Sequence, residues 1–156
     1  MSVTSMTPVG VIHSTRSSLE DDRWDAVVSS IELDPEQFTP EALAGLDAFS
    51  HIEVVYVFDR VDPARVERGA RHPRNNAAWP RVGIFAQRAK NRPNRIGTTI
   101  CRLARVEGLR IDVTGLDATD NTPVLDIKPW VREFGPRGEV HQPAWISELM
   151  RAYWTE

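Results

Sequence analysis

Four cations and two asparagines crowd the ten residues Arg88 to Gly97, RAKNRPNRIG, with the charge on Arg88, Lys90, Arg92 and Arg95. An arginine fork suits a carboxylate or a phosphate, and an asparagine amide reads a base edge or holds a sugar hydroxyl. Pro93 fixes the backbone between Arg92 and Asn94, so these groups point in defined directions. Left alone in a solvated turn, such cations would repel one another; an anion nearby relieves that. A second run, GLDATDNTPVLDIKPW from Gly115 to Trp130, sets Asp117 and Asp120 around a turn and Asp126 two residues before Lys128. On a strand that spacing puts Asp126 and Lys128 on one face, as an ion pair or a polar site. Three aspartates also suggest a metal, but hard cations take about six to eight oxygens and no calcium-loop spacing is present. No metal is expected. An acidic pocket for a cationic ligand and plain Asp-capped turns stay open as readings.

The other reactive residues narrow the chemistry. His13, His51, His72 and His141 have no partner visible in sequence, so no nucleophilic triad assembles. Cys101, the only cysteine, excludes an intrachain disulfide and a cysteine-clustered zinc site, and is expected in the core. Gly83, Gly97 and Gly108 lie too far apart for a phosphate loop or a dinucleotide fingerprint. The net charge of −3 hides an asymmetry: Arg60 to Arg95 holds nine Arg and one Lys against Asp62 and Glu67, which is +8. The rest of the chain therefore carries −11. A basic face aimed at a polyanion, nucleic acid first, competes with an arginine-rich loop balanced by acidic neighbours.

These groups need a scaffold. With 156 residues and 41% apolar composition the chain fits one domain with a sizeable core. No apolar run reaches the ~20 residues of a membrane helix. The first residues lack a signal-peptide pattern, so a cytoplasmic address is expected. Strands are predicted at Pro8–Ser14, Ala26–Leu33, His51–Val61, Val82–Gln87 and Thr122–Ile127. Gly97–Val106 and Leu109–Leu116 flank Glu107-Gly108 as a hairpin. Thr39 and Pro40 open a short helix ending near Gly45, and apolar spacing from Pro143 to Trp154 predicts a terminal helix. Ile52, Val54, Tyr56 and Phe58 share one strand face. Residues 62–81 form a long polar loop of the kind that is functional or disordered. Six or seven strands with so little helix are best buried by an all-β barrel.

Phe49-Ser50-His51, then VGIFAQR, RPNRIG and GLDATDNTPVLDIKPW, in this order and spacing, resemble the TsaA-like, or TrmO, family. The resemblance runs from Pro8 to about Trp130. It implies a small β-barrel, usually a homodimer, that uses S-adenosylmethionine to methylate N6 of threonylcarbamoyl-adenosine beside the tRNA anticodon. By position it implies a methyl-donor site at Asp59, Arg60 and Val61, at Arg88, at Ile100, and at the turn Asp117, Ala118, Thr119 and Asp120. The donor's sulfonium and ammonium suit acidic residues, and its carboxylate suits an arginine. Asp126 is the candidate proton acceptor with Lys128 orienting it, and Arg92 and Asn94 are candidates for holding the acceptor. Three features depart from the family: Asp59 in place of a histidine, Arg95 in place of a second proline, and Ser17 to Asp25 in place of a proline- and glutamine-rich loop. The longer bacterial enzymes also carry a C-terminal domain with no counterpart in this sequence. Methylation of a small molecule or peptide, and a donor-binding module without turnover, are the alternatives.

Overall fold

The computed structural model describes residues 1–155. Its strands are β1 (Gly10–Ser14), β2 (Val28–Leu33), β3 (His51–Val57), β4 (Ala70–Arg71), β5 (Val82–Gly83), β6 (Ile96–Glu107), β7 (Arg110–Thr114) and β8 (Thr122–Pro129). Six of them close a barrel in the order β1-β2-β7-β6-β3-β8, and β4 and β5 form a separate two-stranded ribbon. Every barrel pair is antiparallel, and the β1–β8 pair closes the ring, which removes the free edges of an open sheet. The mainly β architecture matches the expectation from composition and strand count.

Alternation builds the core. Ile12, Ile31, Leu33, Ile52, Val54, Tyr56, Cys101, Ile111, Val113 and Val124 point inward and are buried, while their sequence neighbours face out. The hairpin turns at Gly108, whose φ of +60° a side chain would strain. Gly97 serves a different purpose: a Cβ there would stand 2.5 Å from the Tyr56 ring. The missing side chain leaves room for the ring of Tyr56, its directly paired neighbour on β3. Phe58 packs edge-on against that ring with centroids 5.5 Å apart.

Several elements differ from expectation for local reasons. Strand β3 stops at Val57: Phe58 N–H still donates to Arg95 O at 2.8 Å, but Asp59 N–H then donates back to Val57 O at 2.8 Å and Val61 N–H to Phe58 O at 3.1 Å, which turns the chain. The strand expected over Val82–Gln87 keeps only Val82–Gly83; Ile84–Ala86 turns as a 3-10 helix. Buried Gln87 holds that turn by donating to Arg71 O and Val82 O at 3.1 and 2.9 Å. Arg88 thus follows a turn, not a strand. The short helix after Thr39 is a 3-10 turn, Pro40–Leu43, and Thr39 makes no side-chain cap. Residues 62–81 are ordered by 3-10 turns at Pro63–Arg65 and Pro73–Asn75 and by the ribbon. At the C-terminal end, helix α1 covers only Ala144–Leu149 before a 3-10 turn at Met150–Ala152 redirects the chain. Among the described residues, no helix is long and apolar enough to cross a membrane.

Candidate functional site

Asp117 follows β7 through Gly115, whose φ of +77° swings the chain back over the barrel end, and through buried Leu116. Its carboxylate meets three hydroxyls. Tyr56 donates to Oδ1 at 2.8 Å, Thr99 donates to the same oxygen, and Tyr153 donates to Oδ2. Burial, reinforced by the Asp117 charge, pushes Tyr56 well above the usual phenol range and raises Tyr153 as well. The same two causes push the Cys101 thiol up to about 12. Around neutral pH this cluster is therefore one anion surrounded by protonated groups.

Adjacent residues of β6 tie Asp117 to Arg88. Thr99 holds the carboxylate, and the neighbouring Thr98 carbonyl accepts Arg88 Nη2 at 3.0 Å. The Tyr153 hydroxyl lies in the field of both, with the Arg88 charge opposing the upward push of burial and Asp117. The turn after β3 joins the same end. Arg95 Nη1 donates to Val61 O at 2.8 Å, Arg60 Nη1 to Ser17 O at 2.7 Å and Arg92 Nη1 to Gln87 O at 2.8 Å. Asp59 and Arg60 are exposed at that turn, and Asn94 is exposed beside it. Asn94 and Arg95 are left-handed, with φ of +62° and +52°. A proline at 95 would be locked near −65° and would lack the N–H that Arg95 donates to Arg92 O at 3.0 Å. Arginine at this position thus sets the shape of the turn.

The remaining predicted residues separate. Asp120 clasps β1 by accepting Ser14 N–H at 3.0 Å, while its own N–H donates to Arg16 O at 3.0 Å. Ala118 and Thr119 are buried, and the Thr119 carbonyl accepts Thr122 Oγ1 at 2.7 Å. Ile100 faces outward from β6, lining a shallow cavity of about 180 Å³ with His51, Arg102 and Trp154. Asp126 and Lys128 form an ion pair on the outer face of β8, opposite Val55 and Glu53 of β3. Hydrogen bonding to Asp126, and its charge, raise the Lys128 pKa. Thr98 pairs with Val55 on the other side of β3, which puts Asp126 about 10 Å, two strand spacings, from the Arg88 anchor. Asp117, Asp120 and Asp126 do not converge; each has its own partners.

The basic stretch divides too. Arg60, Arg65, Arg68, Arg81 and Arg88 are exposed. Arg74 is not a free loop cation: its two terminal nitrogens hold the Asp22 carboxylate at 3.1 and 2.8 Å. Burial pulls its pKa down, but Asp22 outweighs that and leaves it raised. The Gly69 N–H lowers the Glu67 pKa against the opposing effect of burial, with the Arg68 N–H and the charges of Arg71 and Arg81 adding to the lowering. Sequence reasoning missed Tyr56, Thr99 and Tyr153. Hydroxyls at inward positions of β3 and β6 are a signal for a buried acceptor; Tyr153 carried none.

A model of the tRNA-methyltransferase O N-terminal domain matches residues 20–135. The chain belongs to this family. Among its relatives, the tRNA (adenine(37)-N6)-methyltransferase of Homo sapiens is 38% identical over 102 residues, 65% of this chain and 23% of that protein. A probable S-adenosyl-L-methionine-binding protein of Methanothermobacter thermautotrophicus is 36% identical over 138 residues, covering 84% of this chain and 93% of its own. The crystal structure of TrmO from Pseudomonas aeruginosa superposes with a TM-score of 0.72 at 32% identity, over 90% of this chain and 61% of that one. This tRNA-methyltransferase O relative therefore spans less than a quarter of the human enzyme's length. Within the family frame, Asp117 and Arg88 are the predicted donor residues that the fold draws together, while Ile100 and Asp120 stand at its margins.

Proposed function

We propose that this single barrel domain is an S-adenosylmethionine-dependent methyltransferase acting on N6 of the threonylcarbamoyl-adenosine beside a tRNA anticodon, as a homodimer in the cytoplasm. One observation carries the reading: a carboxylate, Asp117, and a guanidinium, Arg88, are anchored on successive residues of β6 beside an exposed arginine face. These charges fit an amino acid-bearing sulfonium, since Asp117 suits its cationic groups and Arg88 its carboxylate. Asp59, Arg60, Val61, Ile100, Ala118, Thr119 and Asp120 complete the proposed donor surface. When bound, the donor supplies an already activated methyl group.

The chain's own work is then positioning and proton handling. Tyr56 and Thr99 aim Asp117, so its charge is preorganised and needs no reorientation. Arg92 and Asn94 hold the acceptor from the strained turn beyond Arg88. Asp126 accepts the proton released by the acceptor nitrogen, and Lys128 keeps that carboxylate oriented. The exposed arginines hold the RNA backbone. Mass spectrometry of bulk tRNA nucleosides from cells with and without the gene tests the reading. Loss of the methylated nucleoside is expected on deletion; an unchanged profile moves the acceptor to a small molecule or peptide.

A further inference from the structure

The Asp117 carboxylate is held unequally. Oδ1 is fixed from within the barrel by Tyr56 and Thr99, whereas Oδ2 has one partner, the hydroxyl of Tyr153. Tyr153 comes from the C-terminal segment, which lies across the barrel end with few anchors. Arg23 N–H donates to Ala152 O at 3.0 Å and Trp24 N–H to Tyr153 O at 2.9 Å. Trp79 Nε1 donates to Glu148 of α1 at 2.9 Å. No residue of α1 or of the turn after it is fully buried; Trp145, Ile146, Leu149 and Met150 are half-buried and the rest exposed.

Two of its three aromatic side chains nevertheless stand beside donor candidates. Tyr153 donates to Asp117 Oδ2, and Trp154, packed edge-on against Tyr153 at 4.9 Å, lines the cavity beside Ile100. That cavity, about 180 Å³, falls short of the roughly 300–1,000 Å³ of typical ligand pockets.

We propose that residues 144–154 form an intrasteric strap: the Tyr153 hydroxyl occupies the donor subsite at Asp117 Oδ2, and S-adenosylmethionine binds by displacing it. The strap rests on the donor-site reading above. A hydroxyl on Oδ2 and a polar group of the donor compete for the same oxygen. Polar, mostly exposed anchors suit an element that must leave. Displacement also frees the Arg23 and Trp24 amides, which gives the event a local signature.

Donor binding is measured by calorimetry with S-adenosylmethionine on the full chain and on Tyr153→Phe and Glu148→Ala. The first substitution keeps the ring and deletes only the hydroxyl; the second loosens α1 at Trp79 without touching the site. Hydrogen exchange at the Arg23 and Trp24 amides is followed with and without saturating donor. The strap predicts about tenfold tighter binding in Tyr153→Phe, the worth of one charge-assisted hydrogen bond. It also predicts tighter binding in Glu148→Ala and faster exchange at both amides when donor is present. Equal or weaker binding in both variants, or added protection at the amides, overturns the strap and makes the segment a wall of the site. Absence of donor binding in all three proteins overturns the donor-site reading itself, and the strap with it.

Discussion

The division of the arginines into exposed and engaged groups has a measurable consequence in RNA affinity. Five of the ten cations between Arg60 and Arg95 are exposed. Each phosphate neutralised on a single strand contributes about −0.7 to the slope of log affinity against log salt. Five contacts give a slope of about −3.5, so raising salt fourfold weakens binding about a hundredfold. Replacing Arg65, Arg68 and Arg81 together by alanine leaves two contacts and a slope of about −1.4, so the same step costs only about sevenfold. Arg74→Ala behaves differently, because Asp22 already neutralises it at 2.8 Å. Its slope stays at the wild-type value, and the loss appears in folding, about 1–2 kcal/mol for leaving a half-buried carboxylate unpaired. Fluorescence anisotropy with an anticodon stem-loop at ~50 to ~200 mM salt reads the slopes, and urea unfolding reads the stability. A triple variant with the wild-type slope, or an Arg74→Ala slope reduced as much as the triple, would refute the partition.

Three further outcomes are expected. Arg88→Ala weakens S-adenosylmethionine binding by roughly ten- to a hundredfold, the range of a charge-assisted contact, while Arg81→Ala stays near wild type by calorimetry. Asp126→Asn lowers turnover about 10²–10⁴-fold with donor affinity unchanged, as removal of a proton acceptor should; comparable turnover in single-turnover assays sinks that role. Cys101 makes stability fall in alkali. Its folded pKa of about 12 exceeds the unfolded one, so above about pH 8.5 the native state retains a proton that the unfolded chain loses. That contribution is complete below this pH and is lost, at about 1.4 kcal/mol per pH unit, as pH rises toward 12. Urea unfolding of Cys101→Ala between pH 8 and 10 should show a shallower decline than wild type.

Much of this protein was legible before its fold. The alternation at Ile52, Val54 and Tyr56 identified an inward face, the Glu107-Gly108 turn a hairpin, and the strand count a barrel, because each depends on chain geometry over a few residues. The motif RPNRIG and the aspartate-rich run marked the family for a similar reason: residue order is itself the signal. What order does not contain is who meets whom. Asp120 read as a donor residue, and nothing in its neighbourhood in sequence shows that it also clasps β1, since Ser14 lies 106 residues away in sequence and one hydrogen bond away in space. Arg74 read as a free cation until the 62–81 segment folded onto Asp22. The three hydroxyls on Asp117 come from β3, β6 and the C-terminal segment, 61, 18 and 36 residues distant, and no local pattern records such a meeting. Sequence by itself determined the strands, the barrel class and the family. Only the closure of the barrel decided which charges remain exposed and which hydroxyls meet Asp117, because burial and ion pairing are properties of contacts made across the whole chain.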